Sequence, residues 1–293
     1  MFGRSSGKID VPSMPAALTK VIQITNTQDA SFEEVAAVVM LDPALSIKVL
    51  RLAISACHEK GTRVETISEA VAILGFVSVR NLAASASVVD ALFTERLFPG
   101  FSWQEMWIHS VTCAVSAELI YSHMSGSREA GETAFAAGLL HDIGKLILAR
   151  ALPQRFLQII ETCRESKIDM ISVESDLLGT DHAKIGGELT EQWEFPEKLC
   201  VGISYHHMPE VAPYHEDLAR AVYAANLLAK RLGKSYIVGV SFEIGLRDVA
   251  EAADIPISEM QYIVEEIQQK LRQCNEILSC ISCISEADRA MVA

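Results

Sequence analysis

The sequence is short of positive charge: 25 Lys and Arg stand against 38 Asp and Glu in 293 residues, a formal net charge of −13 at pH 7 with His neutral. Nucleic-acid binding rests on clustered basic side chains that neutralise phosphates, so this deficit argues against a nucleic-acid partner. The chain also lacks any run of about 20 uncharged apolar residues, the length a bilayer-spanning helix needs. Its first residues, Met1 to Lys8, have no apolar centre of the kind a secretory signal carries. A cytoplasmic protein without a membrane span is therefore expected. A disulfide framework is missing too, because the seven cysteines, at 57, 113, 163, 200, 274, 280 and 283, are odd in number and scattered as reduced thiols are. There is no internal repeat, no low-complexity tract and no G-x-x-x-x-G-K-[ST] phosphate loop. Strict alternation of apolar and polar residues is nearly absent as well. Tyr236 to Val240 is the best strand candidate, and Gly239 weakens it.

What remains is helix. Apolar residues make up 50% and charged residues 22% of the chain, the balance of a globular protein able to bury a sizeable core. Ser31-Phe32-Glu33-Glu34 and Thr66-Ile67-Ser68-Glu69 are capping boxes ahead of apolar runs. Gly75 is placed to end the second of these helices, Pro43 to begin a helix after Asp42, and Ser78 to cap another. The periodicity predicts helices over Trp103 to Met124, Glu132 to Ala151, Pro153 to Glu165, a segment from Ser172, His182 to Trp193, Pro196 to His207 and Asp217 to Leu232. In the tail, Ser258 is a candidate cap for an apolar stripe of Met260, Ile263, Val264, Ile267 and Leu271, which can close onto the same chain or onto a second copy in a homo-oligomer. The fold class is all-α. Residues 1–8 are expected to be disordered, and Phe93 to Ser102, interrupted by Pro99-Gly100, is the seam between two subdomains.

Chemistry concentrates in the histidines. His58, His123 and His215 sit beside loop-like sequence and read as ordinary surface or satisfied residues. His141-Asp142 instead follows the small and apolar run Ala134 to Leu140, which sets two polar groups at the buried end of a helix, where they need partners. An imidazole beside a carboxylate suits a divalent transition metal, and Gly144 leaves room for close approach. Glu105 and His109 share a helical face through their spacing of four. His206-His207 form an adjacent pair, and His182 follows Gly179-Thr180-Asp181. Gly179 and Gly186-Gly187 read as turn and close-packing residues, and Trp103, Trp107 and Trp193 as core aromatics. Cys280-x-x-Cys283, with Cys274 before it, has the spacing of half a zinc site or a redox pair, but no second pair lies nearby and a structural reading is preferred.

The ordered set of His109, Ala134 to Lys145 with His141-Asp142-Ile143-Gly144-Lys145, His182 and His206-His207 resembles the HD phosphohydrolase superfamily. More narrowly the chain resembles the HDOD output domain of bacterial signal transduction, through Pro12-Ser13-Met14-Pro15, Asp42-Pro43-Ala44-Leu45, Val49 to Ala53, and Ile67 to Gly75 with Arg80-Asn81-Leu82. The resemblance covers roughly residues 9 to 235. It implies a multi-helix HD-like bundle over 99–240, packed on an N-terminal helical subdomain over 9–98, with a helical extension over 241–293. It further implies His109, His141 and Asp142 as ligands of a first metal, His182, His206 and His207 as ligands of a second, Glu105 as an extra carboxylate and Lys145 as the residue that meets substrate phosphate. Mixed His and carboxylate ligands favour Fe or Mn, with Zn and Ni also compatible.

Two departures bear on activity. Where HD enzymes place a final Asp ligand this chain has Asn226, whose neutral amide oxygen is a poorer ligand than a carboxylate. After His206-His207 the sequence runs Met208 to Tyr214 without the Gly-Tyr-Pro motif of cyclic-di-GMP phosphodiesterases. No receiver, GGDEF or EAL module fits in the remaining residues, so input is expected from a protein partner or from a ligand in the pocket. The leading expectation is a stand-alone HDOD regulatory protein with a metal-binding pocket. The alternatives are a metal-dependent phosphohydrolase acting on a nucleotide or other phosphoester, and a redox or iron-linked sensor with the same ligands. A metal-free hydrogen-bonded network that fixes helix register is the bland counterpart.

Overall fold

The computed structural model describes residues 30–40, 66–76 and 98–272, together with Ile24, Val49, Ala53 and Val79. Its elements in chain order are α1 (Phe32–Val39), α2 (67–76), α3 (Trp103–Ser125), α4 (Arg128–Leu140), α5 (Ile143–Ala151), α6 (Pro153–Ser166), α7 (Met170–Leu178), α8 (His182–Gln192), α9 (Glu197–Ser204), a 3₁₀ turn at Pro209–Val211, α10 (Glu216–Arg231), α11 (Leu246–Ala253) and α12 (257–272). No strand occurs among the described residues, and the all-α expectation holds there. The Tyr236 to Val240 candidate contributes one antiparallel bridge, Phe101 to Ile237, flanked by Ser102 N–H donating to the Tyr236 carbonyl and Val238 N–H to that of Gly100, each at 2.9 Å. Gly239, at φ +84°, turns the chain away before a second pair can form.

Start chemistry fixes the helix ends. Both capping boxes form: Glu34 N–H donates to Ser31 Oγ while Ser31 N–H donates to the Glu34 carboxylate, and Thr66 with Glu69 repeats the exchange. Asp181 caps α8 through Lys184 N–H at 3.0 Å. Helix α12 begins at residue 257, ahead of the expected cap Ser258, because the Pro256 carbonyl already accepts from Glu259 and Met260. Asp42-Pro43, Ser78, His58, Cys57, Cys274, Cys280 and Cys283 lie outside the described residues.

The helix expected over Glu132 to Ala151 is two. His141 ends α4 in helical conformation, but Asp142 at φ −96°, ψ 10° leaves the helical basin and its carbonyl accepts from Lys145 N–H, so α5 starts in a new direction. That break turns His141 and Asp142 into the interior instead of along one helical surface. Glycines then let backbones touch. A Cβ on Gly138 would stand 2.8 Å from the Cys113 carbonyl oxygen on α3, and one on Gly144 would stand 2.0 Å from that of His182 on α8. The close approach at Gly144 is thus helix to helix, not residue to ligand. Gly187 faces the Ser204 side chain instead, and Gly179, at φ +72°, is the turn that closes α7.

One contiguous apolar core runs from Val35 to Ile267. Trp193 and Phe156 are fully buried within it, and Trp103 packs on it beside Phe98, Phe101 and Phe156. Trp107, expected in the core, is 37% exposed, because α3 buries Met106, His109, Ser110 and Cys113 and turns Trp107 outward. No helix of the described residues is long and apolar enough to cross a membrane.

Candidate metal centre

Five side chains from four places in the chain meet in the interior: His109 from α3, His141 and Asp142 from the α4–α5 break, His182 from the first turn of α8 and His206 from the end of α9, each at most 1% exposed. His207, partly exposed, closes the set. Their ligating atoms fall into two groups, His109 with His141 and Asp142, and His182 with His206 and His207, the atoms of each lying within 4.8 Å of one another. Asp142 joins the groups. Its Oδ2 lies 3.4 Å from His141 Nε2 and 3.9 Å from His109 Nε2, and its Oδ1 lies 3.3 Å from His182 Nε2 and 3.9 Å from His206 Nε2.

Outer acceptors set the rings. His109 Nδ1 donates to the Lys234 carbonyl at 2.8 Å, His141 Nδ1 to that of Gly138 at 2.7 Å, His206 Nδ1 to that of Ile203 at 2.7 Å and His182 Nδ1 to Glu174 Oε2 at 2.5 Å. A carbonyl or carboxylate can only accept, so each Nδ1 carries the proton, and in the neutral ring each Nε2 turns a lone pair inward. The consequence at His109 and His141 is a close pair of acceptors, facing each other through Nε2 at 3.3 Å, while His182 and His207 face each other through Nε2 at 3.0 Å. Among the described residues, Asp142 Oδ2, His206 Nε2 and Asn226 Oδ1 are buried with no hydrogen-bond partner. Buried acceptors without donors cost about 1–3 kcal/mol each, more for a charged oxygen. Convergent imidazole lone pairs around a carboxylate are the donor set of a divalent transition metal, and these residues fit one.

The electrostatics point the same way at three of the five rings. Burial, helped by His141, pushes His109 down to about 3. Burial and the neighbouring imidazoles push His206 and His207 well below the usual histidine range. At His141 burial acts downward but the Asp142 carboxylate outweighs it, and at His182 Glu174 does the same. Burial acts upward on Asp142, yet His141 and Lys145 hold its carboxyl far below the usual range. The centre is an anion among three imidazoles held neutral and two, His141 and His182, drawn toward the charged form by carboxylates, so it calls for positive charge.

Lys145 supplies some. It is 2% exposed, and its Nζ donates to Asp142 Oδ1 at 2.6 Å and to the Tyr236 hydroxyl. Glu105 lies outside both ligand groups, with its backbone N–H on the Ser102 cap. Asn226 is buried on the inner face of α10. His123 pairs with Glu259 at the surface, at 2.7 Å, and His215 faces Glu197 at 3.6 Å, both outside the centre. Sequence reasoning missed Glu174, Tyr236 and the Lys234 carbonyl. Glu174 left a signal, since it sits on the stripe Met170, Val173, Glu174, Leu177, where a carboxylate interrupts an otherwise apolar face. Backbone carbonyls leave none.

Similar proteins bear out the frame. A 25% identical protein of Treponema pallidum, named only as uncharacterized, matches over 227 residues, 76% of this chain; the chain spans 43% of that relative's length. A Shewanella amazonensis structure provisionally named a phosphohydrolase is 27% identical, with a TM-score of 0.71 over 90% of this chain and 92% of that one. One from Marinobacter aquaeolei, provisionally named a signal transduction protein, is 26% identical, with a TM-score of 0.76 over 96% of this chain and 62% of that one. A Geobacter sulfurreducens HDOD domain protein of unknown function is 25% identical, with a TM-score of 0.69 over 90% and 91%. The family model described as the HDOD domain matches residues 11–209, well over half of the sequence, and with the helical architecture and the ordered histidines this establishes that the chain belongs to the HDOD domain family.

Proposed function

We propose that this chain is a regulatory protein of bacterial signal transduction whose HD pocket binds a divalent transition metal, Fe or Mn in preference to Zn or Ni, and which passes on a signal by binding a protein partner or a nucleotide-like ligand. The observation that carries the metal is the inward lone pair on four buried imidazoles around Asp142, each fixed by an acceptor on its Nδ1. Regulation is favoured over turnover by enclosure. Every ligand but His207 is at most 1% exposed, and Lys145, the residue expected to meet a phosphate, is spent on Asp142 and Tyr236. The name of the Marinobacter relative agrees with this reading.

A second reading, a metal-dependent phosphohydrolase, is favoured by the second ligand group with His207 at its open edge and by the name of the Shewanella relative. A bound metal would lower the pKa of a water and neutralise phosphate charge. His109, His141 and Asp142 would hold the first ion and His182, His206 and His207 a second.

Metal content per chain, measured by elemental mass spectrometry on protein purified without chelator or metal-affinity resin, tests both readings. Near-stoichiometric metal in the native chain, lost in a folded H141A/D142A variant, is the expected result. A well-folded native protein that stays empty after challenge with Fe, Mn, Ni and Zn overturns the pocket and leaves the dry network. Phosphate release from nucleotides by the loaded protein, abolished in the variant, would move the assignment to hydrolase.

A further inference from the structure

Asp142 is shared unequally between the two ligand groups. Its Oδ2, facing His109 and His141, has no hydrogen-bond partner among the described residues, whereas its Oδ1, facing His182 and His206, accepts from Lys145 Nζ at 2.6 Å. We propose that Lys145, anchored by Tyr236, is a built-in cation that takes the place of a second metal at Asp142 Oδ1, so that this chain binds one metal, at His109, His141 and Asp142 Oδ2, and not two. The inference rests on the metal-pocket reading above and specifies its stoichiometry.

The geometry gives three supports. First, Lys145 is not a mobile surface side chain: it is 2% exposed, one turn from Asp142 on the same helix start, and it lies 4.7 Å from the centroid of the Tyr236 ring as well as on its hydroxyl. Tyr236 is itself fixed, buried with its ring 5.5 Å from Phe101 and edge-on to His109 at 5.2 Å, on backbone tied to Ser102. Second, among the described residues Asp142 is the one carboxylate that faces both groups. With its Oδ1 committed to an ammonium, the second group offers three imidazoles alone, and a divalent ion placed there would meet like charge in a low-dielectric interior. Third, the second group is otherwise prepared, because Glu174 holds the His182 ring through Nδ1 and backbone N–H. Lys145 is therefore what limits it. Tyr236 lies beyond residues 11–209 that the family model matches, so the anchor comes from the part of the chain after the shared domain.

The test counts metal. The full chain, Lys145→Met and Tyr236→Phe are saturated with Mn(II), freed of excess by gel filtration, and measured by elemental mass spectrometry and Mn(II) electron paramagnetic resonance, with circular dichroism as the fold control. The native chain is expected to hold about one Mn with an isolated-ion spectrum. Lys145→Met is expected to hold about two with an exchange-coupled spectrum, and Tyr236→Phe to take the second ion at intermediate occupancy. Two Mn in the native chain, or one in both folded variants, overturns the proposal while the pocket stands. No Mn in any of the three overturns the pocket reading and this one with it. Should Lys145→Met fail to fold, the native count and Tyr236→Phe decide the matter.

Discussion

At the scale of single residues the centre depends on atoms that do not face it. Glu174 Oε2 accepts from both the backbone N–H and the Nδ1 of His182, at 2.9 and 2.5 Å, and so fixes which nitrogen of that ring can ligate. Glu174→Gln keeps an acceptor oxygen but removes the charge that makes His182 a strong donor. Loss of such outer partners costs about 10–100-fold in metal affinity, and a fall of that size in the affinity of the second ion taken up by Lys145→Met, read by competition with a chromogenic chelator, is the expected outcome. Unchanged second-ion affinity would mean that His182 is not a ligand of it. The same distinction explains what was legible in the sequence. His109, His141, Asp142, His182, His206 and His207 were visible because a ligand must be of a rare side-chain type, and their order along the chain survives any fold. Tyr236 was read as a strand residue because its neighbours Ile237 and Val238 suit one, and its role arises only from the single bridge that folds it back over His109. Glu105 failed to join because sharing a helical face with His109 fixes a direction and not a reach.

Helices bring these residues together only where their backbones come close, and glycine decides where. Helices α5 and α8 meet at Gly144, where a methyl would collide with the backbone of His182, which cannot rotate away. Gly144→Ala should therefore push α8 outward, lowering stability by about 1–3 kcal/mol and displacing His182 from Asp142. Urea unfolding and metal affinity should fall together, whereas Gly187→Ala meets the Ser204 side chain and has a cheaper adjustment. A Gly144→Ala protein with native stability and native affinity would contradict the contact. Between α3 and α10, Tyr121 donates to Asp217 at 3.0 Å, and burial together with that carboxylate pushes its phenol up to about 12. A folded value above the unfolded one of about 10 makes the contribution complete below pH 10 and lost as pH rises through 12. The stability gap between native protein and Tyr121→Phe, on the order of 1 kcal/mol near neutrality, should hold up to about pH 10 and narrow as pH rises from there through 12; a constant gap would show that the phenol is not the source. Element boundaries were legible where caps dictate them, as at Ser31 and Thr66, and illegible at His141-Asp142, where helix-forming sequence is broken by a turn that tertiary packing stabilises.

For the molecule as a whole, the pocket draws on α3, the α4–α5 break, α8 and the end of α9, and its rings lean on Lys234 beyond α10. These parts meet only when the single core from Val35 to Ile267 has closed, so a metal that uses them binds the folded chain and not the unfolded one. Such a ligand raises stability by about 2.7 kcal/mol at a hundredfold excess over Kd. For a chain of this size each kcal/mol moves Tm by about 2–4 °C, so removing metal with a chelator should lower Tm by about 5–10 °C, and adding it back should restore the loss. A hydrogen-bonded network without metal predicts the same Tm in all three states, and so does the H141A/D142A variant. The dependence on concentration carries more than the shift itself. Above Kd each metal adds RT to the stability per natural-log unit of free metal, so the slope counts ions in the folded state without isolating the loaded protein. A slope near one for the native chain and near two for Lys145→Met would place the ammonium at Asp142 as the reason that the second set of imidazoles stays metal-free, and equal slopes would remove that reason.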